Sequence, residues 1–307
     1  MTVPSPRPLR EALGRYVRGK DDAIGVVLAA LVAGGHVLLE DVPGVGKTTL
    51  ARAIAGLLGL EYRRLQFTSD LLPADVVGGS VFDRERNTFV FRPGPVFANV
   101  LLADEINRTT PKTQSALLEA MGEGQVSIDG TTHPLPSPFF VLATQNPIDF
   151  YGTYPLPESQ LDRFLVRLRL GYPPRDVERE LLRTRRDRDP LEGLAPVLSA
   201  SELRAMQAAV ADVRIDDAIV DYLHAIVLAT RQSPLLEVGA STRAAIAFER
   251  VVRARALVEG RTHVLPDDVK LLAPHVLAHR LRSAGDGARD DAERALAEIL
   301  ERVPVPL

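Results

Sequence analysis

The chain has no cysteine among its 307 residues, so disulfides, thiolate metal sites and thiol catalysis are excluded. Its six histidines are scattered, and no pair has metal-ligand spacing, so zinc is not expected. A surplus of either charge is missing too. Lys and Arg number 37 against 40 Asp and Glu, a net charge of −3, which argues against a broad nucleic-acid surface while leaving room for a local basic stripe. The basic-looking "RTRRDRD" from Arg183 alternates with acids and reads as a solvated helix end. No apolar run is long enough to span a bilayer, and the opening "MTVPSPRPLR" lacks the apolar stretch of a secretion signal. A cytoplasmic protein without membrane insertion is expected. With 46% hydrophobic and 25% charged residues the composition is globular, and the length suits one large domain or two ordinary ones.

What is present is an alternation. Residues from Arg10 to Val32 have mostly helical period and stop at Gly34-Gly35. "HVLLE" reads as a strand, Thr48 to Leu58 as a helix closed by Gly59, and "YRRLQF" as a second strand. "VFDRERNTFVF" suggests a hairpin with a polar tip at Asn87. "NVLLADE" is an uninterrupted apolar run, as for a strand buried on both faces. "TQSALLEAM" then reads as a helix, "GQVSIDGTTHPL" as a hairpin turning at Asp129-Gly130, and "FFVLAT" and "FLVRLRL" as strands. Strands alternating with helices imply an α/β layer on a parallel central sheet. After "GYPPRD" the strand signal stops, which sets a boundary near Gly171 to Pro174. Ser199 and Glu202 form a capping box, and helices follow at Asp217 to Arg231, Ser241 to Val258 and from Pro266. "SAGDGARDD" reads as a polar joint before a last amphipathic turn or two carrying Leu296, Ile299 and Leu300.

Chemistry concentrates at three strand ends and one helix start. Between the first strand and its helix stands Pro43-Gly44-Val45-Gly46-Lys47-Thr48-Thr49. Glycines there let backbone N–H groups converge on an anion at the positive end of the helix. Lys47 adds charge for β- and γ-phosphates, and the Thr48 hydroxyl can ligate Mg²⁺. The strict phosphate-loop pattern has glycine where this chain has Asp41. Such a loop serves kinases, GTPases and ATPases alike. "NVLLADE" favours hydrolysis: Asp104 can hold the Mg²⁺ shell, and Glu105 can orient an attacking water. "VLATQNP" ends its strand on Gln145 and Asn146, which fits either a water-holding amide or an ordinary Asn-Pro turn. Arg243 sits in the first turn of a helix, against the dipole, so it is either exposed or faced by an anion.

In this order, "GGHVLLEDVPGVGKTTLARAIA", "LQFTSDLLPADVVGGSVF", "FRPGPVFANVLLADEINRTTPKTQSALLEAMGEGQVSIDG", "LPSPFFVLATQNPIDFYGTYPLPESQLDRFLVRL" and "GASTRAAIAF" resemble the AAA+ ATPases, and more narrowly the MoxR family in the helix-2-insert clade, from about Val17 to Leu277. The resemblance implies a three-layer phosphate-loop domain with a central parallel sheet over residues 1–172, then a small all-α lid with its linker over 173–307. Within the first domain it implies a helix-2 insert at about 76–98, with its hairpin at Val81 to Phe91, and a pre-sensor-1 hairpin at about 124–136. Lys47 and Thr48 would be Walker A, Asp104 and Glu105 Walker B, and Asn146 sensor 1. Arg163 would be an arginine finger acting on the neighbouring subunit, and Arg243 sensor 2, serving its own subunit or the next. Val17 and Gly19 would lie on the adenine side; there the family pattern Val-x-Gly-Gln is Val17-Arg18-Gly19-Lys20 in this chain.

ATP and Mg²⁺ are the implied cofactors. A homo-hexamer, a von Willebrand factor A-domain partner and a client protein to be remodelled, or loaded with a metal cofactor, are the implied company. Two alternatives remain. A nucleotide-gated scaffold would not need Asp104-Glu105 and Asn146 intact. A DNA-translocating motor would need basic hairpin tips, whereas these read "DRERN" and "SIDGTTH". Phe89 and Phe91 could grip a substrate in a pore or pack on their own domain.

Overall fold

The computed structural model describes residues 3–146, 152–184, 191–284 and 289–306. Pro147, the segment after Thr184 read as a solvated helix end, and residues 285–288 of the polar joint lie outside them. Two helices, α1 (Arg7–Tyr16) and α2 (Asp21–Val32), lead into β1 (Val37–Glu40), α3 (Lys47–Leu57), β2 (Tyr62–Gln66) and α4 (Pro73–Val77). A hairpin of β3 (Gly78–Asp83) and β4 (Thr88–Pro93) precedes β5 (Val100–Asp104) and α5 (Pro111–Glu123). A second hairpin, β6 (Gln125–Ile128) with β7 (Thr131–Pro134), leads to β8 (Phe140–Gln145), α6 (Glu158–Leu161) and β9 (Val166–Leu168). The rest is α7 (Arg175–Thr184), α8 (Ala200–Ala209), α9 (Asp217–Gln232), β10 (Leu236–Val238), α10 (Thr242–Val258), α11 (Pro266–Leu277), β11 (Arg282–Ser283) and α12 (Arg289–Arg302).

Five strands form one parallel sheet in the order β2-β5-β8-β1-β9. The apolar runs follow from burial on both faces. Val37, Leu39, Val100, Leu102, Phe140 and Leu142 pack toward α1, α2 and α3, whereas Leu38, Leu101, Ala103, Val141 and Ala143 pack toward α4 and α5. Strand β2 is the exception. It is an edge, and Arg63, Arg64 and Gln66 on it are exposed. The result is the three-layer α/β arrangement, and a helical lid completes the chain.

The single helical segment expected over Arg10 to Val32 is two helices, broken where Gly19 takes φ +69°. Helix α2 is buried nearly all round because α10 covers its outer side; Arg255 occupies the space a side chain at Gly25 would need. The Ser199 capping box forms as expected, with Glu202 N–H donating to Ser199 Oγ at 3.2 Å and Ser199 N–H to Glu202 Oε2 at 2.8 Å. Two features went beyond the periodicity. The last turn or two is a helix of 14 residues, α12, and a short ribbon of β10 with β11 lies among the lid helices.

Both hairpins form as expected. Asp129 and Gly130 take φ +49° and +77°, the two left-handed residues of a type I′ turn. The hairpins touch one another: Phe91 stacks on His133 at 3.9 Å between ring centroids, and Ser80 Oγ donates to Asp129 at 2.5 Å. Phe91 is therefore a packing residue. Phe89 is 69% exposed and meets only Phe82 among the described aromatic rings.

Candidate functional site

The loop after β1 is shaped by two left-handed residues, Gly44 at φ +87° and Gly46 at +101°. A Cβ on either would meet no protein atom within 4 Å, so the hollow is free for a ligand and glycine is needed for the backbone path. Gly46 caps α3, and Lys47, Thr48 and Thr49 occupy its first turn. Pro43 is exposed on the rim, and Val45 is buried beneath the loop. The Lys47 ammonium donates to the Asp41 carbonyl at 2.7 Å. Burial pushes its pKa below the ordinary value, opposed by the charges of Asp104, Asp41 and Glu105. The strand-end acids thus lie within the field of this lysine.

The acids are held by neighbouring strands. Thr144, fully buried on β8, donates its hydroxyl to Asp104 Oδ1 at 2.6 Å and accepts the Glu105 N–H at 2.8 Å. Arg64 on the edge strand donates to Asp104 Oδ2 at 2.6 Å. Gln66, opposite Asp104 in the β2–β5 register, donates to Glu105 Oε2 at 2.8 Å, and Arg108 donates to the same oxygen at 3.0 Å. Glu105 itself takes φ +58°, ψ +50°, which turns its side chain out of the strand. The buried amide of Gln114 fixes the turn that follows by donating to the carbonyls of Ile106, Thr109 and Tyr154. Asn146 follows the last residue of β8, and the buried Gln145 side-chain oxygen has no partner among the described residues.

The two arginines gather elsewhere. Arg163 follows α6, and its guanidinium lies over Gly122 of α5, filling the space a Cβ there would take. Arg243, 76% exposed in the first turn of α10, reaches Asp162 at 3.7 Å, so the anion that faces it is the neighbour of Arg163. Among the described residues, no hydrogen bond or ion pair joins either arginine to the phosphate loop or the acids. Site residues near in chemistry are therefore split into two groups.

Both departures from the expected patterns meet at the end of the sheet. Asp41 Oδ2 accepts the N–H of Gly171 at 3.0 Å and that of Leu170. The Lys20 ammonium donates to the Gly171 carbonyl at 2.8 Å and to that of Tyr172. Burial pushes Lys20 below its ordinary pKa, opposed by Asp41. Val17 is buried, and Gly19 faces Pro174, whose Cδ would lie 2.7 Å from a Cβ at that position. Lys20 is thus engaged with the chain leaving the sheet.

Sequence reasoning missed Thr144, Gln66, Arg64 and Gln114. Only Thr144 left a signal, as a polar residue inside an apolar strand. Among the described residues no helix is long and apolar enough to cross a membrane, and no group of three or more His, Cys, Asp or Glu is placed to hold a metal.

Comparisons with known proteins agree with this geometry. The ATPase family associated with various cellular activities (AAA) matches residues 36–166, and the AAA lid domain matches residues 228–302. Chaperone MoxR1 of Mycobacterium tuberculosis is 42% identical over 95% of this chain and 80% of its own length. YeaC of Bacillus subtilis, an uncharacterized protein, is 49% identical over 97% of this chain and 93% of its own. The crystal structure of a candidate ATPase from Cytophaga hutchinsonii superposes with a TM-score of 0.88 at 36% identity, over 98% of this chain and 94% of that one.

Proposed function

The chain belongs to the MoxR family of AAA+ ATPases, and from that premise we propose that it hydrolyses ATP at the subunit interfaces of a ring. The observation that supports this best is the acid pair: Asp104 and Glu105 end β5 within the field of Lys47, and one buried hydroxyl, that of Thr144, orients both. The open glycine hollow suits the triphosphate. The Thr48 hydroxyl and the Asp104 carboxylate are hard oxygen donors of the kind Mg²⁺ takes, so these two would hold it. What the ion supplies when bound is neutralisation of charge across the β- and γ-phosphate oxygens.

Glu105 then orients and deprotonates the attacking water, with Asn146 as the second contact to that water. Arg163 of an adjoining subunit stabilises charge at the γ-phosphate, and Arg243 completes the lid side of the site. The division we favour is 1–172 for the α/β domain and 173–307 for the lid, supported by the last sheet strand ending at Leu168. The assembly is a hexamer. Its output is remodelling or metal-cofactor loading of a client, with a von Willebrand factor A-domain partner, in keeping with the chaperone description of MoxR1.

Glu105→Gln is the test. Nucleotide affinity should persist while phosphate release falls by two to three orders of magnitude, roughly the contribution of a general base. Unchanged turnover would remove Glu105 from its role, and absence of nucleotide binding in the parent protein would remove the whole reading.

A further inference from the structure

Arg280 closes the short turn after α11 in the lid, yet its guanidinium belongs to the other domain. It is buried, and it donates to Asp162 Oδ1 at 2.7 Å, to the Phe164 carbonyl at 2.8 Å, to the Leu165 carbonyl at 3.2 Å and to the Asp162 carbonyl at 3.4 Å. A fifth bond goes to the Val276 carbonyl in α11. His279 adds a contact from its Nε2 to the Phe164 carbonyl at 3.0 Å. Four acceptors on three residues thus surround Arg163, and every one of them is taken up by a lid arginine.

The arrangement exceeds what docking two domains requires. Apolar packing would join them without desolvating a cation, and a buried charge stabilises only when its geometry and hydrogen bonds are complete. Here they are complete, and their effect is to fix the backbone of 162–165. The other end of Arg163 lies against α5, where its guanidinium occupies the space a Cβ on Gly122 would take. Asp162 in addition faces Arg243, so two lid arginines converge on the residue before the finger.

We propose that Arg280 is a positioning residue for Arg163: the lid of each subunit sets, through the turn 162–165, the arginine presented to the adjoining site. This rests on the reading that Arg163 acts across the interface. Lid position in one subunit would then gate hydrolysis in its neighbour, while the lid subunit's own phosphate loop keeps its affinity.

Mixed rings test it. Glu105→Gln subunits have an inactive site but an intact finger, and Arg163→Ala subunits have the reverse. Their mixture should regain turnover, and if it does not, the interface reading of Arg163 fails and takes this proposal with it. Arg280→Lys alone should bind a fluorescent ATP analogue within about twofold of wild type yet turn over at least tenfold more slowly. Mixed with Glu105→Gln it should regain activity; mixed with Arg163→Ala it should not, because both partners lack a working finger. Wild-type turnover alone, recovery with Arg163→Ala, or recovery with neither partner would each overturn the proposal while leaving Arg163 in place. Should Arg280→Lys fail to fold by thermal unfolding, Arg280→Gln, which brings no charge into the turn, goes through the same mixtures.

Discussion

The acid pair and the Arg163 turn are held in opposite ways. Asp104 and Glu105 are fixed by side chains of adjacent strands in their own sheet, Thr144 on β8 and Arg64 and Gln66 on β2. The turn 162–165 is fixed by Arg280 and His279, which arrive from more than a hundred residues away in the lid. Strand register makes the first group as rigid as the sheet. The second is only as fixed as the docking of one domain on another. On the proposed reading, a site built this way separates its parts: the acid pair stays constant, and the group that would move with the lid is Arg163.

The largest effect that would break this contrast is the loss of two to three orders of magnitude expected for Glu105→Gln, with binding retained. Next comes acid. His36 is buried, with Nδ1 accepting the Val141 N–H at 3.1 Å and Nε2 facing the Met121 carbonyl at 3.2 Å; its own carbonyl accepts the Leu165 N–H at 2.8 Å. Burial lowers its pKa to about 4 from 6.5. The unfolded chain therefore takes up a proton that the folded one refuses. The stabilisation is complete above pH 6.5 and is lost as pH falls toward 4, about 3 kcal/mol in all. Urea unfolding at pH 7, 5.5 and 4.5 should show the slope, and His36→Gln should flatten it. A parent slope no steeper than the variant's would refute the assignment.

Thr144→Val should lower turnover about ten- to hundredfold through the loss of two bonds to the acid pair, at a smaller cost in melting temperature. A drop in melting temperature with normal turnover would mean that Thr144 serves only the core. The smallest effect sharpens the other side. Gly122→Ala favours the helix but displaces the Arg163 guanidinium, so turnover should fall about tenfold with stability unchanged or raised. Steady-state phosphate release beside a melting curve separates the two outcomes.

Local pattern revealed much of this. Glycines that need positive φ, a lysine at a helix start, apolar runs between helices and an Asp-Gly turn all carry their meaning within a few residues, and the phosphate loop, the sheet and the second hairpin were legible for that reason. Gln66 and Arg64 were not, since their importance comes from lying opposite Asp104 and Leu102 across a strand pair. Arg280 is one of many arginines, and nothing adjacent to it distinguishes it; its partners in the turn 162–165 lie 115 to 118 positions away. Asp41 read only as a departure from the loop pattern, but its carboxylate accepts the N–H groups of Leu170 and Gly171. The full length of α12 escaped notice because its first turn lies in a polar stretch without apolar periodicity.

Glu105 stands at φ +58°, a backbone shape in which glycine would rest without strain and a glutamate is held at a cost of about 1 kcal/mol or more. If Glu105 has the proposed role, directed evolution for heat resistance alone would therefore tend to erase this side chain, enriching sturdier proteins with Gly at 105 that still grip nucleotide but release phosphate about two to three orders of magnitude more slowly. Thermal robustness and turnover pull in opposite directions at that one position, so a campaign to harden this protein should leave residue 105 out of its library.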